Sequence, residues 1–456
     1  MKATGGALLK SGAADQYAAV SINSRTLAPG QVFWCIRGER FDGHDFLAEA
    51  VRKGAAGLVI SKPEKLPGLS AAGQAPFVVV VADTLRGLQD LAHFHRTSMR
   101  VKVLAVTGTN GKSTTKEMAA AISDKRFRTF KSQGNFNNHI GLPLNLLDLK
   151  SGHEVAVLEM GMSAKGEIRR LCEIAEPDLG LITNISEAHM ESLKTLQDIQ
   201  AAKGEMFTAL KREGTAIVNA DDPLILELTR SLRASKVTFG MDNPADVRAR
   251  DVRLGESQGY QFTLDLLGRA VRVHLPFPGR CNVYNALAAA AAGLALGLEP
   301  EDIQRGLEGV RLLGQRAEML RHGGIVLLND TYNANPRSMQ EALQTLGEFR
   351  TTGRRFFVIG DMLELGDREE SAHRSLGDAA ARAGIDFLVA VGPRVRGSVQ
   401  AALEAGMAKD RAVICGAHED AADFLKKSAK TGDCILFKGS RGARMERVLE
   451  IFTQTP

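Results

Sequence analysis

The sequence predicts an α/β protein built from three domains. Its 456 residues exceed what one hydrophobic core usually organises, and length alone suggests about three domains. From residue 101 onward, short apolar β-rich segments alternate with helical segments, which is typical of parallel sheets with crossover helices. A glycine-rich loop joins one of these strands to the next helix. We place the domain boundaries near residues 100 and 315.

Each predicted domain has its own pattern. Residues 1–100 mix short apolar runs with one closing helix, which indicates a mixed α/β domain. Residues 101–314 predict a central domain with a mostly parallel sheet, and within it residues 247–279 alternate apolar and polar side chains, as antiparallel strands do. An alanine-rich helix and a short helix near 301–309 follow. Residues 315–456 begin a new series of strands and helices, which predicts a Rossmann-like C-terminal domain.

The composition is that of a globular protein, with 44% apolar and 24% charged residues. The net charge of +5 is small for this length, so it suits an anionic small substrate and gives no support to nucleic-acid binding. The five cysteines are scattered and never form a C-x-x-C pair, which fits reduced thiols. The most apolar stretch, residues 286–298, is too short to span a bilayer. We therefore expect a cytoplasmic protein without membrane insertion.

The segment TGTNGKST at residues 107–114 predicts a phosphate-binding loop between a strand and a helix. Val106 stands where the usual G-x-x-x-x-G-K-[ST] pattern has its first glycine. Lys112 can pair with phosphate oxygens, and the Ser113 hydroxyl can bind Mg²⁺. The alternative is a glycine-rich turn without a ligand, but the strand–loop–helix context favours phosphate.

Two further side chains are candidates for metal chemistry. Glu159 ends the apolar run EVAVLEMG, and His189 follows the run LGLITNIS. Carboxyl ends of parallel strands meet at one sheet edge, where α/β proteins bind ligands. Taken singly, Glu159 is as easily explained as a solvated acid at the end of a strand. A lone histidine such as His189 is more often structural. Lys203, in AKGEMF, has the character of an ordinary exposed helix lysine.

Several motifs in one order resemble the Mur ligase family. The loop TGTNGKST is accompanied by SRTLAPGQVFWCIRGERFDGHDF at 24–46, GNFNNHIGLP at 134–143 and TNISEAHME at 183–191. The last third carries NDTYNANPRSM at 329–339, GDMLELG at 360–366 and KGSRGARME at 438–446. The shorter loop of this family accounts for Val106. Within the family, the chain resembles the members that join D-alanyl-D-alanine to UDP-N-acetylmuramoyl-tripeptide. This resemblance covers essentially the whole chain.

The resemblance implies roles for individual residues. Those expected to bind ATP are Gly108, Thr109, Asn110, Gly111, Lys112, Ser113, Thr114, Asn282, Arg316 and Asp330. Those expected to be catalytic are Lys112, Glu159, His189, Lys203 and Arg316, with Ser113, Glu159, His189 and Lys203 as metal ligands. Those expected to bind the other substrates are Ser24, Arg25, Asn137, Asn138, Asn333 and Asn335. For Asp330 and the two asparagines after it, a plain turn before Pro336 is the alternative.

One departure from the family pattern is clear. The family often has G-x-H-N-x-x-N at the start of the alanine-rich helix, whereas this chain has GRCNVYN, with Cys281 in place of histidine. Asn282 and Asn285 remain, so the adenine contacts that the resemblance implies are kept. We interpret Cys281 as a small packing residue.

The implied chemistry is amide-bond formation through an acyl phosphate. ATP phosphorylates the terminal carboxylate of the tripeptide, and the amine of D-alanyl-D-alanine then displaces phosphate. The resemblance implies two Mg²⁺ ions and a CO₂-derived carbamate on Lys203, and the family default is a monomer. Because the three ligands are expected on separate domains, we predict a closing motion that excludes water before chemistry.

Three alternatives stay open from the sequence. A related ligase adds the third amino acid of the muramoyl peptide, but the DNPR signature typical of that enzyme is absent. Folylpolyglutamate synthetase shares the central architecture, although YNANP and SRTLAPG are not expected in it. A non-catalytic nucleotide switch would use the loop alone and would leave Glu159, His189 and Lys203 without a role.

Overall fold

A computed structural model describes residues 1–12, 17–66, 75–188, 190–230, 232–312 and 314–454. The chain forms two compact units. The first consists of residues 1–105, 128–162 and 167–178, and the second of residues 106–127, 163–166 and 179–456. Among the described residues, no helix combines the length and apolar character needed to cross a bilayer. The domain boundaries near 100 and 315 stay predictions.

A five-stranded sheet organises the beginning of the first unit. Its strands are β1 (Ala7–Lys10), β2 (Val20–Ser21), β3 (Val32–Trp34), β4 (Gly57–Ile60) and β5 (Phe77–Val80), accompanied by helices α1 (Leu47–Arg52) and α2 (Thr84–Thr97). The spatial order is β1-β5-β4-β3-β2, and only β1 runs antiparallel to its neighbour. Phe33, Leu58 and Ile60 are fully buried, as expected for strands covered by helices. The mixed α/β prediction for residues 1–100 is consistent with this sheet.

Strand β6 (Lys102–Thr107) begins in the first unit and ends in the second, where the loop after it leads into α3 (Lys112–Ser123). The first unit also contains a parallel pair of strands with two helices. These elements are β7 (Thr129–Lys131), α4 (Gly141–Leu147), β8 (Val155–Glu159) and α5 (Glu167–Ala175). Every residue of β8 is buried, so its carboxyl end delivers Glu159 into a protein interior.

The second unit continues with alternating strands and helices. They are β9 (Leu179–Ile182), α6 (Leu196–Thr208), β10 (Thr215–Asn219), α7 (Pro223–Leu228), β11 (Ser235–Gly240), β12 (Val247–Leu254), β13 (Tyr260–Leu266), β14 (Arg269–Leu275), α8 (Cys281–Ala295) and α9 (Pro300–Glu308). Strands β9 to β12 pair in parallel, and β12 to β14 form the antiparallel meander that the alternation at 247–279 predicts. Ala286 and the alanines at 288–292 are buried in α8, and their small side chains let neighbouring helices approach closely.

A six-stranded sheet organises the last third of the chain. Its elements are β15 (Glu318–His322), β16 (Ile325–Asp330), α10 (Pro336–Glu348), β17 (Arg355–Gly360), α11 (Glu369–Arg382), β18 (Phe387–Val391), α12 (Arg396–Glu404), β19 (Ala412–Cys415), α13 (His418–Ser428), β20 (Cys434–Lys438) and α14 (Glu446–Thr453). The order is β15-β16-β20-β17-β18-β19, and all pairs except β15–β16 are parallel.

Helices cover both faces of this sheet. Successive strand residues point to opposite faces, so Phe356 joins one buried apolar cluster while Phe357 joins the other. Leu327 and Leu328 likewise belong to opposite clusters. This doubly wound arrangement agrees with the predicted Rossmann-like domain, and it brings the carboxyl ends of β16 and β20 side by side.

Candidate active site

The loop between β6 and α3 has the backbone shape of a phosphate site. Gly108 has φ +141° and Gly111 has φ +81°, two conformations that side-chain-bearing residues rarely adopt. Both glycines are also tightly enclosed. A Cβ atom on Gly108 would lie 1.9 Å from Thr183 Oγ1, and one on Gly111 would lie 2.1 Å from Asn285 Oδ1. Both positions therefore require glycine for conformation and for space.

The segment TNIS after β9 holds this loop through hydrogen bonds. Thr183 Oγ1 donates to the Asn110 carbonyl at 2.6 Å, and Asn184 Nδ2 donates to the same oxygen at 3.0 Å. The Asn110 amide donates to Asn184 Oδ1 at 3.1 Å. The Thr109 amide donates to the Asn184 carbonyl at 2.9 Å. Because these partners satisfy the loop backbone on one side, the loop keeps its shape without relying on a ligand.

The first turn of α3 follows the loop directly. Gly111 is the N-cap residue in the left-handed conformation, and Lys112 begins the helix. The first amides of a helix have no helical acceptor and carry partial positive charge, which suits phosphate oxygens. Ser113 and Thr114 are both buried in this turn. The geometry fits a nucleotide, while the separate ATP contacts predicted for these residues stay predictions.

Two lysine side chains meet at the loop. Lys112 Nζ donates to the carbonyl oxygens of Gly108 and Thr109 at 3.0 Å each. Lys203 Nζ, carried by α6, donates to the Gly108 oxygen at 2.9 Å. The site therefore gathers positive charge where an anion would bind.

Lys203 is only 3% exposed, so the sequence-only interpretation of an exposed helix lysine is wrong. Thr195 and Asp198 form a capping box that begins α6. Five residues beyond Asp198, Lys203 falls on the buried face of this helix. Burial lowers the pKa of Lys203 well below its usual range, and the positive charge of Lys112 lowers it further. The neutral amine of Lys203 is therefore more populated at a given pH than that of an exposed lysine.

Glu159 lies at the end of β8 in the first unit and is 2% exposed. Its Oε1 atom accepts from Asn137 Nδ2 at 2.8 Å, and its amide donates to Ser132 Oγ at 3.0 Å. Asn138 Oδ1 accepts from the Ile140 and Gly141 amides at the start of α4. The two asparagines predicted to bind substrate therefore orient a carboxylate and begin a helix; their substrate role stays a prediction.

The predicted metal ligands are only partly described. His189 lies outside the described residues. In the described part of the chain, no three His, Cys, Asp or Glu side chains form a group ready to hold a metal. Ser113 and Glu159 each offer an oxygen of the kind that Mg²⁺ prefers. Their metal-binding role, and that of Lys203, stays a prediction.

In the last domain, Asp330 ends β16 and Lys438 ends the neighbouring β20. Their register places them opposite one another, and Lys438 Nζ donates to Asp330 Oδ2 at 2.6 Å. Lys438 also donates to the Asn333 carbonyl at 3.1 Å. Asn333 Oδ1 accepts from the Arg441 amide at 3.3 Å. The loops TYNANP and KGSRG are thus joined into one structure at the carboxyl edge of the sheet.

Asn335 has two functions in the described structure. Its Oδ1 atom accepts from the Ser338 amide at 2.9 Å, which caps α10. Its Nδ2 atom donates to Asn110 Oδ1 at 2.8 Å, and Asn110 Nδ2 donates back to Asn335 Oδ1 at 3.3 Å. The loop YNANP therefore contacts the phosphate loop directly.

Arg316 lies in the segment that joins the central domain to the last sheet. Its guanidinium stacks on the Tyr332 ring, 3.9 Å from the ring centre. The residues on either side, Gln315 and Ala317, both have positive φ. The Ala317 amide donates to Asp330 Oδ1 at 3.2 Å. This segment bonds to Asp330 through the residue next to Arg316. The ATP role of Arg316 and Asp330 stays a prediction.

In the N-terminal sheet, Ser24 is buried and donates to Glu49 Oε2 at 2.7 Å. Lys53 Nζ donates to the carbonyls of Ser24 and Arg25 at 2.7 and 2.8 Å. Arg25 is exposed, and a side chain that binds a diphosphate must be accessible to it. The predicted UDP contacts of Ser24 and Arg25 stay predictions.

The start of α8 contributes a polar pair next to the loop. Asn282 Nδ2 donates to the Pro278 carbonyl at 2.7 Å, and Asn285 Nδ2 donates to Asn282 Oδ1 at 3.1 Å. Burial raises the pKa of the Cys281 thiol, as do the negative charges of Glu341 and Asp330. This cysteine stays protonated, in agreement with its interpretation as a packing residue.

The sequence does not indicate the residues that contact the phosphate loop but lie far from it along the chain. Thr183 and Asn184 stand in the motif TNISEAHME, in which the sequence indicates only His189 as a site residue. For Asn285 the family resemblance implies an adenine contact, and the sequence does not indicate its position against Gly111. A strand end followed by small polar residues was the available signal, because such residues lie at the ligand edge of a parallel sheet.

Models of protein families match most of the chain in three consecutive parts. A model described as "Mur ligase family, catalytic domain" matches residues 16–104, and one described as "Mur ligase middle domain" matches residues 106–293. A model described as "Mur ligase, glutamate ligase domain" matches residues 315–441.

Individual relatives extend this likeness over the full length. The chain is 39% identical over 438 residues to the UDP-N-acetylmuramoyl-tripeptide–D-alanyl-D-alanine ligase of Bacillus subtilis, covering 96% of this chain and 93% of the relative. A crystal structure of MurF from Acinetobacter baumannii superposes with a TM-score of 0.90 at 32% identity, covering 100% of this chain and 97% of that one. MurF ligase from Thermotoga maritima in complex with ADP gives a TM-score of 0.82 at 29% identity, covering 95% and 97%. The predicted three-domain α/β architecture is confirmed.

Proposed function

Because this chain belongs to the Mur ligase family, we propose that it is an ATP-dependent ligase that joins D-alanyl-D-alanine to UDP-N-acetylmuramoyl-tripeptide. The products are ADP, phosphate and the lengthened UDP-muramoyl peptide, a precursor of peptidoglycan. The observation that carries this proposal is the loop at Gly108, where Lys112 and the buried Lys203 meet at one carbonyl oxygen. A loop serving only as a turn gives no reason to bury a second lysine there.

The chemistry explains why the site concentrates positive charge. A carboxylate oxygen of the tripeptide attacks the γ-phosphorus of ATP, and the bond from that phosphorus to the bridging oxygen of ADP breaks. Both reactants are anions, so their approach is opposed until cationic groups offset the repulsion. Lys112 and the amides of the first turn of α3 supply that charge, and Arg316 is proposed to add to it.

The resulting acyl phosphate is open to attack by an amine. The free amine of D-alanyl-D-alanine adds to the carbonyl carbon, and the tetrahedral intermediate expels phosphate together with the oxygen that came from the carboxylate. We propose that the loops at Asn333 and Lys438 receive the dipeptide, because both lie at the carboxyl edge of the last sheet. The predicted closing of the domains would keep water from hydrolysing the acyl phosphate.

Magnesium and a carbamate are part of the proposal. Ser113 and Glu159 each offer a hard oxygen ligand, and Mg²⁺ would offset the phosphate charge. The neutral amine of Lys203 is suited to attack the carbon of CO₂, which gives a carbamate anion and releases one proton. The support for this is the lowered pKa of Lys203. A second Mg²⁺ held with His189 belongs to the same proposal.

We further propose that the protein acts in the cytoplasm as a monomer. All five cysteines have free thiols, which agrees with a reducing compartment. ATP and nucleotide-linked sugars are cytoplasmic substrates, so the proposed reaction places the enzyme there. Its mass in solution, measured by light scattering, tests the monomer.

One assay separates the proposal from its rivals. The enzyme is incubated with ATP, Mg²⁺, UDP-muramoyl tripeptide and D-alanyl-D-alanine, and phosphate release is measured. Release that requires both partners is expected. Activity with UDP-muramoyl dipeptide and a diamino acid would favour the third-residue ligase, and activity with folate and glutamate would favour folylpolyglutamate synthetase. ATP hydrolysis that ignores both partners would favour a nucleotide switch.

A further inference from the structure

The side chains of Asn110 and Asn335 face each other as a reciprocal amide pair. Each one donates to the other, at 3.3 and 2.8 Å, across 225 residues of sequence. The hydrogen bonds of the Asn110 side chain are with Asn335, whereas Thr183 and Asn184 bond to the Asn110 backbone. The pair thus joins the side chain in the middle of the phosphate loop to the last domain.

Asn335 is fixed by a second set of bonds. It caps α10, and the return bond from its amide to Ser338 Oγ measures 3.0 Å. Pro336 follows at the first helical position, where its ring favours helix formation. An asparagine held by its own helix cap loses little further freedom when it binds Asn110, so the amide pair is preorganised.

The other end of α10 is also fixed to the central domain. Tyr260, on β13, donates its hydroxyl hydrogen to the carboxylate of Glu348, the last residue of α10. Gln258 Nε2 donates to the Arg350 carbonyl at 2.9 Å, and the Arg350 amide donates to Gln258 Oε1 at 3.0 Å. A helix held at both ends transmits a displacement along its length and does not absorb it by tilting.

From these contacts we infer that Asn335 is a positioning residue: it holds Asn110, and through Asn110 the phosphate loop, in the shape that binds ATP. Helix α10 carries the connection, so that movements of the last domain reach the nucleotide site. The inference rests on the proposed function, because it assigns Asn335 to the ATP side of that ligase. It differs from the substrate contact that the family resemblance predicts for Asn335.

Substitution of Asn335 by serine separates the two roles. Serine keeps the helix cap, but it is too short to reach Asn110. The matched control is Ser338→Ala, which removes a bond of the capping box and leaves the amide pair in place. Binding of ADP and of the β,γ-methylene analogue of ATP is measured by calorimetry with Mg²⁺ and without the other substrates, and thermal unfolding is followed for each variant.

We expect Asn335→Ser to weaken nucleotide binding about tenfold, as the loss of a preorganised polar pair predicts. Ser338→Ala should bind nucleotide as the unaltered protein does. In the Asn110→Ala background, adding Asn335→Ser should cause no further loss, because the two residues act as one unit. Steady-state kinetics of Asn335→Ser should show a raised KM for ATP and an unchanged KM for D-alanyl-D-alanine.

Two results would overturn the inference. One is unchanged nucleotide affinity in Asn335→Ser with a raised KM for the dipeptide, which would make Asn335 a dipeptide ligand. The other is equal weakening by Asn335→Ser in both backgrounds. Nucleotide binding is measured without turnover, so a protein that binds ADP but forms no amide bond would refute the proposed function and leave the inference open to the same test.

Discussion

Lys112 and Lys203 donate to the same backbone carbonyl oxygen, that of Gly108, at 3.0 and 2.9 Å. Two positive charges that share one acceptor repel each other, and burial disfavours the charged form of the group that lies deeper. Lys203 is the more buried, and its lowered pKa identifies it as that group. The same contact therefore places Lys112 beside a lysine whose amine loses its proton more readily than usual.

The first prediction concerns the carbamate on Lys203. Lys203→Ala should lower the ligase rate by about 10–100-fold, the loss typical when support of a metal site is removed. Formate, acetate or propionate at millimolar concentration should restore part of the rate, because a small carboxylate fills the space and carries the missing negative charge. The measurement is phosphate release with and without each acid.

Lys112→Ala serves as the comparison for this rescue. It removes the neighbouring cation, which a carboxylic acid does not replace, so its lost activity should stay lost. Thermal unfolding of both variants checks that the fold is kept. A Lys203→Ala protein with full activity, or one rescued no better than Lys112→Ala, would argue against the carbamate.

The second prediction gives the direction of the pH dependence. Only the neutral amine reacts with CO₂, and the lowered pKa of Lys203 increases the fraction of this form at any given pH. As the pH falls below the pKa of Lys203, protonation should slow carbamate formation about tenfold for each pH unit. The measurement is the initial rate at which the carbamate signal appears in ¹³C NMR after ¹³CO₂ is added at a fixed dissolved concentration.

Lys112→Met tests the electrostatic part of this argument. The charge of Lys112 lowers the pKa of Lys203, so removing that charge should raise the pKa. The fall in carbamate formation should then begin at a higher pH than in the unaltered protein. A rate that ignores pH, or a midpoint that moves to lower pH in Lys112→Met, is the contrary outcome.

The third prediction separates backbone strain from crowding in the phosphate loop. Gly111 and Gly297 share φ +81°, but a Cβ atom at Gly111 would lie 2.1 Å from Asn285 Oδ1, whereas one at Gly297 meets nothing within 4 Å. Gly297→Ala should cost about 1 kcal/mol of unfolding free energy and leave nucleotide binding unchanged. Gly111→Ala should add the collision with Asn285 and weaken ADP binding by about tenfold or more.

Urea denaturation and ADP titration of the two glycine variants provide the measurements. Asn285→Ala removes the atom with which the new methyl group collides. Combined with Gly111→Ala, it should therefore recover part of the lost affinity. Equal ADP affinity in Gly111→Ala and Gly297→Ala would show that the contact with Asn285 does not shape the loop.

The sequence predicts the local parts of this protein well, for a physical reason. An apolar strand, a loop with two glycines and a helix of good formers are encoded within residues 101–123, and neighbouring residues decide each of them. The structure has β6 and α3 where they were expected. The antiparallel strands at 247–279 followed from alternation alone.

The contacts that complete the site depend on residues far apart in the chain. Asn285 encloses Gly111 from 174 positions away, which no periodicity within one element can reveal. The residues that surround Lys203 in the sequence are typical of an exposed helix position. Its burial results from the phosphate loop, which packs against α6. The family motif indicated Lys203, whereas composition alone pointed the other way.

The most direct test of the account follows one oxygen atom. UDP-muramoyl tripeptide with ¹⁸O in its terminal carboxylate is incubated with the enzyme, ATP, Mg²⁺ and D-alanyl-D-alanine, and the released phosphate is analysed by mass spectrometry. Transfer of the phosphoryl group to the carboxylate predicts one ¹⁸O atom in each phosphate, with amide formed in equal amount. Phosphate without ¹⁸O would mean that water, and not the peptide carboxylate, receives the phosphoryl group at this loop.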